Sequence, residues 1–355
     1  MNNNFMFGER LKLARKRAGL SLRDLSEVIQ YDVSAQAIGK YERGEMLPGS
    51  AIAIKLAKAL RVSLSYLFSV SGAQLAEVEF RKISAAKAKE KSLVEALVLD
   101  HVDRYLSVEE LLGISSHEWD KPKGLPFIAT SLEEAEEVAI KLRKLWNLGG
   151  DPIRNITELL EEHGIKVMKL DFPLSVDGLN CHVIRNNKEK TPVIVGTDKK
   201  SAERRRFTLA HELGHMILEV SKGLDEEQAC HRFASAFLMP REALLRAIGE
   251  RRHNFGYIEI IEIKRLFGVS AAALIKRLSD LNIITKGTSQ KIYRGIGKAW
   301  RKAEPAPLNH NEQPKRFERL VSRALAEDII SLPKAAELLQ KKTSEVQCIM
   351  AGPVE

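Results

Sequence analysis

The five residues His211-Glu-Leu-Gly-His215 put two imidazoles and a carboxylate at a spacing suited to metal-assisted hydrolysis. On an α-helix, positions i and i+4 share a face one turn apart, so His211 and His215 can hold a single metal ion. Glu212 is then the candidate general base, and two His plus one further ligand leave a metal position open for water or substrate. The bland alternative is a surface helix with two ordinary histidines. The neighbours argue against it: Phe207, Leu209, Ala210, Leu213, Met216, Ile217 and Leu218 make the helix apolar on most sides. Buried imidazoles need polar partners or a metal. Gly214 costs a helix about 1 kcal/mol relative to alanine, which is reasonable where another element packs close to that turn.

A third ligand has to come from elsewhere. In the next segment Ala229, Cys230, Phe233, Ala234, Phe237 and Leu238 recur at helical spacing. Asp225, Glu226 and Glu227 fall in its first turn, where acids also serve simply to offset the helix dipole. Glu227 and His231 share a face at i, i+4, and spacing alone does not choose among these candidates.

The stretch from His211-Glu-Leu-Gly-His215 through Glu227-Gln-Ala-Cys-His-Arg-Phe-Ala-Ser-Ala-Phe-Leu-Met-Pro240 resembles the ImmA/IrrE family of metallopeptidases over roughly residues 130–250. Members of that family cleave or inactivate repressors. The resemblance implies a zinc cofactor, Glu212 as catalytic base, and His211, His215 and Glu227 as metal ligands. His231 stands where the family often carries Asn, which leaves it a substitute ligand or a supporting group.

The N-terminus carries a second pattern. Phe7–Gly19 reads as a basic amphipathic helix, and Ser21 can cap a helix over Leu22–Gln30. A turn at Tyr31-Asp32 leads to Ser34, which can cap a helix over Ala35–Glu42, and two further short helices are expected over Ala51–Leu60 and Ser63–Phe68. Five short helices with a tight turn between the second and third suit a helix-turn-helix. Val33-Ser-Ala-Gln-Ala-Ile-Gly-Lys-Tyr-Glu-Arg-Gly44, Pro48 and Ile54–Leu67 resemble the XRE family of phage-repressor-like regulators. One departure is Leu22, where the family usually places a phosphate-binding Gln; Ser21 or Arg23 can take over that contact.

Charge agrees with a polyanionic partner. Residues 1–70 carry eleven Lys/Arg against six acids, a net +5 out of +9 for the whole chain. Such charge supplies sequence-independent affinity for phosphates, although Arg15-Lys16-Arg17 also reads as a solvated helix end. The candidate contacts to a double-stranded operator are Ser34, Ala35, Gln36, Lys40, Arg43 and Arg23. Gln36 has the geometry to read adenine and Lys40 to reach guanine or phosphate, whereas Ile38 and Tyr41 point to the core.

The expected fold class is mainly α with a small β-sheet (α+β). Segments are expected at 5–70 (helix-turn-helix), 71–125 (helical linker), 126–250 (metallopeptidase-like) and 251–355 (helical C-terminal region). Residues 74–112, rich in Ala, Lys, Glu and Leu, read as one or two long helices that join domains or pair two copies, since regulators of this type usually act as homodimers. Ser131 opens a helix to about Trp146, and Pro152–His163 reads as another. Strands are expected over Ile165–Leu170, Gly178–Ile184 and Pro192–Gly196, with His182 a structural or surface residue near them. Phe267–Ile284 has some helix-turn-helix character, with packing beneath the peptidase domain favoured over DNA contact, and Gln313–Val346 reads as a helical pair broken at Ser331 and Pro333. Three scattered cysteines imply no disulfide framework, and the absence of a signal-like start or a long apolar run points to the cytoplasm.

Two functions fit. One is a DNA-binding regulator with an active zinc peptidase that cuts a repressor or itself, with the linker near residues 113–130, around Pro122-Lys-Gly-Leu-Pro126, as a candidate cleavage site. The other is a repressor or antitoxin-like regulator whose metal fold is a non-catalytic sensor or dimerisation module.

Overall fold

A computed structural model describes residues 3–68, 73–76, 88–114, 119, 121–170, 178–185, 191–197, 201–300, 302–309 and 312–351. The chain divides into two compact units, 1–118 with 181–192 and 315–355, and 119–180 with 193–314. The architecture is mainly helical with small sheets, the expected class.

The first unit starts with α1 (Asn3–Arg17), α2 (Leu22–Val28), α3 (Ala35–Glu42), α4 (Ser50–Leu60) and α5 (Leu64–Phe68). Phe7, Leu11 and Ala14 recur at helical spacing on α1 and are fully buried with Leu25, Ile38, Leu56 and Leu67. Ser21 and Asp24 form a reciprocal capping box, and the Ser34 side chain accepts from the Ala37 amide at 3.2 Å. α2 stops two residues earlier than expected because Gln30 and Tyr31 both adopt a left-handed backbone, φ 59°. Ser26 Oγ ties down this turn by donating to the Val33 carbonyl at 2.6 Å. α1 crosses α3 tightly at Gly8, where a Cβ would lie 2.5 Å and 2.6 Å from the carbonyl oxygens of Tyr41 and Glu42.

Strand β1 (Ala73–Ala76) corrects the helical reading of the start of the 74–112 segment; Phe80 and Ile83, counted in that reading, lie outside the described residues. α6 (Ala88–Leu111) is the long helix expected. It buries two acids against the N-terminal helices: Arg10 pairs with Asp103 at 2.5 Å, while Asp100 takes Arg17 at 2.9 Å and the Tyr66 hydroxyl at 2.9 Å. Arg104 and Arg17 hold the Asp100 carboxyl below its usual range despite its burial.

The second unit contains β2 (Phe127–Ala129), α7 (Leu132–Leu145, capped by Ser131), α8 (Ile156–Glu162), β3 (Lys166–Leu170), the start of β4 (Gly178–Arg185), β5 (Thr191–Thr197) from Val193 on, α9 (Ala202–Ile217), β6 (Leu218–Val220), α10 (Glu226–Leu238), α11 (Arg241–Ile248), α12 (Tyr257–Phe267), α13 (Ala271–Asp280) and α14 (Lys286–Arg294). β3 and β5 pair in parallel from Lys166 opposite Val193 to Leu170 opposite Thr197, and β2 pairs in parallel with β6. The helix expected from Pro152 begins only at Ile156, where Asn155 caps it. The preceding backbone instead offers the Ile153 and Arg154 carbonyls to the buried Arg206 guanidinium at 2.5 Å and 3.1 Å.

Charged anchors hold α9 to later helices. Lys264 of α12, fully buried, donates to Glu203 of α9 at 2.8 Å, and Arg206 also donates to the Gly268 carbonyl at 2.9 Å. Arg277 of α13 makes a two-point pair with Glu136 of α7 at 2.7 Å and 2.8 Å and donates to the Met239 carbonyl. α12 and α13 therefore pack within this unit, as the packing reading of Phe267–Ile284 anticipated.

The outer half of β4 belongs to the first unit, where it pairs antiparallel with β1 from Ala73 opposite Arg185 to Ala76 opposite His182. That unit closes with α15 (Arg316–Ala326), α16 (Leu332–Leu339, capped by Ser331) and α17 (Thr343–Ala351). Phe317, Leu320, Val321 and Leu338 share a core with Tyr105 and Val108 of α6. Gln340 donates to Asp100 at 3.0 Å and Ser63 to Glu337 at 2.6 Å. Residues 251–355, expected as one region, are thus divided between the units at 314/315. All three cysteines are free, and burial pushes the Cys181 thiol up to about 12.

Replacing Gly8 by Ala should loosen the α1–α3 crossing. Helix propensity alone favours alanine by about 1 kcal/mol, but overpacking against two backbone carbonyls costs roughly 1–3 kcal/mol. Hydrogen-exchange protection of α1 and α3 amides is expected to fall, and equal or greater protection would contradict the contact.

Candidate metal centre and DNA-binding helices

α9 begins at Ser201, whose side chain accepts from the Arg204 amide, and places His211 and His215 on its inward face, both buried. Their Nε2 atoms lie 3.1 Å apart. α10 begins at Glu226, so that Glu227 lies in its first turn, and is capped by Asp225, which accepts from the Gln228 amide at 3.0 Å. Asp225 is therefore engaged as a cap. Glu227 faces both histidines, with Oε2 3.4 Å from His211 Nε2 and Oε1 3.4 Å from His215 Nε2. Of the alternatives open in the sequence, Glu227 is the one brought to both imidazoles.

Glu226 and Cys230 approach the other side of the His215 ring. Glu226 Oε1 lies 3.1 Å and Cys230 Sγ 3.3 Å from His215 Nδ1. His231, left open as a substitute ligand, lies on the exposed side of α10 with its ring 4.5 Å from that of His211 and 5.7 Å from that of Phe207.

Gly214 explains how two helices can present this set. A Cβ there would meet Phe233 Cδ1 at 3.1 Å and the Cys230 Cα at 3.4 Å, so α10 crosses α9 at the residue without a side chain. This is the close approach that the glycine implied.

The donor set fits a metal. Ligand atoms about 2.0–2.2 Å from a tetrahedral zinc lie about 3.3 Å from one another; the two Nε2 atoms are 3.1 Å apart, and each lies 3.4 Å from a different oxygen of the Glu227 carboxylate, which therefore faces both imidazoles at ligand spacing. Glu226 beside His215 Nδ1 matches the usual support of a ligating imidazole by a carboxylate, which orients the ring and leaves Nε2 for the metal. Among the described residues a second group, His215, Glu226 and Cys230, also lies close enough to hold an ion, through Nδ1 instead.

Glu212 is buried, and its Oε2 accepts from Asn180 Nδ2 at 2.7 Å. Asn180 lies on β4, two residues after Gly178, where a Cβ would come within 2.4 Å of Thr208 Cγ2 and 3.5 Å of Glu212 Cγ. The glycine lets β4 approach α9 and Asn180 meets the carboxylate. Neither residue was singled out by the sequence; the available signal was an asparagine inside a strand, where that residue is depleted.

In the helix-turn-helix, Arg23, Ser34, Gln36, Lys40 and Arg43 are exposed and Ala35 is half-buried. Gln36 and Lys40, four apart on α3, share its outer face, while Ile38 and Tyr41 are buried as expected. Gly39 is buried too, with Leu22 and Arg43 over it. Arg43 pairs with Glu45 at 2.5 Å, an exposed pair that a phosphate can displace at little cost.

Comparison with known families matches the two halves of this description. Residues 160–279 match the family model of the IrrE N-terminal-like domain, and residues 11–67 match that of the helix-turn-helix. The chain carries an XRE-type helix-turn-helix domain and an IrrE/ImmA-like peptidase-family domain. No curated protein matches it. Among the described residues no helix is long and apolar enough to cross a membrane.

Replacing Glu226 by Gln removes the anionic partner of His215 Nδ1 and keeps its shape. Zinc affinity measured by chelator competition is expected to fall roughly 10–100-fold. Affinity equal to that of the unsubstituted chain would show that this contact does not hold the ring.

Proposed function

We propose that the chain is a DNA-binding transcriptional regulator whose peptidase-family domain is a zinc-dependent endopeptidase acting on a repressor or on the chain itself. The observation that carries this reading is the convergence of His211, His215 and Glu227, with Glu212 alongside and held by Asn180. His211 Nε2, His215 Nε2 and a Glu227 carboxylate oxygen would hold the metal. Bound zinc supplies Lewis acidity, which polarises a peptide carbonyl and acidifies water.

The chain's own residues supply the rest. Glu212 accepts the proton of the attacking water and delivers it to the leaving amine. Asn180 fixes the direction of the Glu212 carboxylate by donating to its Oε2. Glu226 selects the His215 tautomer with its proton on Nδ1. In the other domain, Gln36 and Lys40 enter the major groove from α3, with Ser34, Ala35, Arg43 and Arg23 beside them toward base or phosphate. The double-stranded operator is bound by a homodimer in the cytoplasm.

The test is to express the wild-type chain and Glu212→Gln in the same cells and map newly formed protein N-termini. New termini that appear only with the wild type, in a DNA-binding protein or within residues 113–130 of this chain, are expected. General-base loss should slow cleavage by about 10²–10⁴-fold. Identical N-termini in both samples would sink the peptidase reading and favour a non-catalytic sensor or dimerisation module. Part of that candidate cleavage segment, 115–118 and 120, lies outside the described residues.

A further inference from the structure

The sequence between Asp280 and Glu304 contains six Lys/Arg and no acid. Five of these, Lys286, Lys291, Arg294, Lys298 and Lys302, are described and all five are exposed. None forms an ion pair among the described residues. The buried or half-buried cations Arg206, Arg232, Lys264 and Arg277 of the same unit are, by contrast, matched to carboxylates.

α14 presents most of this charge on one face. At about 100° per residue, Lys286, Gln290, Arg294 and Lys291 span about 140° of the helix, and the exposed cations run for about 12 Å along it. The opposite face carries Ser289 and Ile292, both buried. Tyr293 locks the helix by donating its hydroxyl to the Ala272 carbonyl at 2.8 Å and packing edge-on to Trp300. The cations therefore project from a seated helix.

We propose that the exposed face of α14 and the following turn is a second nucleic-acid surface, contacting the phosphate backbone of duplex DNA independently of α3. It rests on the DNA-binding reading of the helix-turn-helix, which would hold a duplex at high local concentration. A duplex carries one charge per about 1.7 Å of axis, so a 12 Å cationic stripe meets several phosphates. Lys, Arg and Gln are all phosphate donors, and such contacts position a protein without reading bases. A lipid surface fits less well, because an interfacial helix needs a free apolar face and that of α14 is already spent in the core. The surface differs from the helix-turn-helix-like pair α12–α13, where Arg277 is buried and Lys276 is paired with Asp280.

The experiment uses the full-length protein and a random-sequence duplex, with binding measured across a range of KCl. Lys286→Gln/Lys291→Gln/Arg294→Gln is compared with wild type and with Lys144→Gln/Lys222→Gln/Arg241→Gln, which removes the same charge from exposed positions elsewhere in the unit. The α14 variant should lower affinity at low salt at least tenfold and flatten the log K against log[salt] slope by about 2–3, at about 0.9 per lost phosphate contact. The control variant should keep the wild-type slope, and both should melt at the wild-type temperature. Gln36→Ala/Lys40→Ala should weaken binding while leaving the α14 contribution to the slope intact. Wild-type slope and affinity in the α14 variant would overturn the proposal while leaving the helix-turn-helix reading standing. Equal losses in the control variant would overturn it as a net-charge effect. Tighter α14-dependent binding to polyglutamate or anionic vesicles than to the duplex would overturn it in favour of another acidic partner. No duplex binding by the wild type would remove the DNA-binding reading as well.

Discussion

The crossing of α9 and α10 at Gly214 is the constraint on which the candidate centre depends. The three groups that converge come from only these two helices: two imidazoles from one and a carboxylate from the other. Their separations follow from how closely the helices approach, and that approach is set by a missing side chain facing Phe233 and Cys230. A bulkier residue at 214 would push Glu227 away from both imidazoles at once. The roughly 1 kcal/mol of helix propensity lost to glycine is small beside the geometry it permits.

That crossing is braced from outside. Glu203 and Arg206, on the first turns of α9, are tied to α12, to the Gly268 carbonyl and to the backbone before α8. Buried ion pairs contribute little net stability after desolvation, but they penalise any arrangement that separates the partners. They fix the direction of α9 and hence of its last two turns, which carry His211 and His215. Burial pulls the Arg206 guanidinium down to about 10, still charged at neutral pH. In the first unit the same logic applies to Asp100 and Asp103, which tie α6 to the DNA-binding helices through Arg17, Tyr66 and Arg10.

Local features were legible from the residues alone. Ser21, Ser34 and Ser131 all cap helices where their types and positions implied, and the break expected at Ser331 is the cap of α16, because capping depends on only three or four neighbouring residues. Gly214 announced a close packing partner without identifying it. The choice among Asp225, Glu226, Glu227 and His231 was beyond periodicity, since all sit within two turns and only the crossing angle decides which meets an imidazole. Asn180 was hidden for the same reason: its partner is 32 residues away. β1 escaped notice because four residues in an Ala-rich stretch, Ala73–Ala76, have no strand pattern of their own and take their register from β4. The division of residues 251–355 between the two units is likewise a non-local outcome, decided by Lys264 and Arg277 on one side and by the α6 core on the other.

The central claim is that one metal sits between His211 Nε2, His215 Nε2 and Glu227. The most direct measurement is X-ray absorption at the zinc edge of the purified full-length chain, together with metal stoichiometry for the wild type and for His211→Ala/His215→Ala. The account predicts about one zinc per chain, bound by two imidazoles and oxygen at about 2.0–2.2 Å without sulfur, and lost in the double variant. A sulfur ligand at about 2.3 Å would instead place the ion with Cys230 on the Nδ1 side of His215, and no zinc in the wild type would contradict the centre altogether.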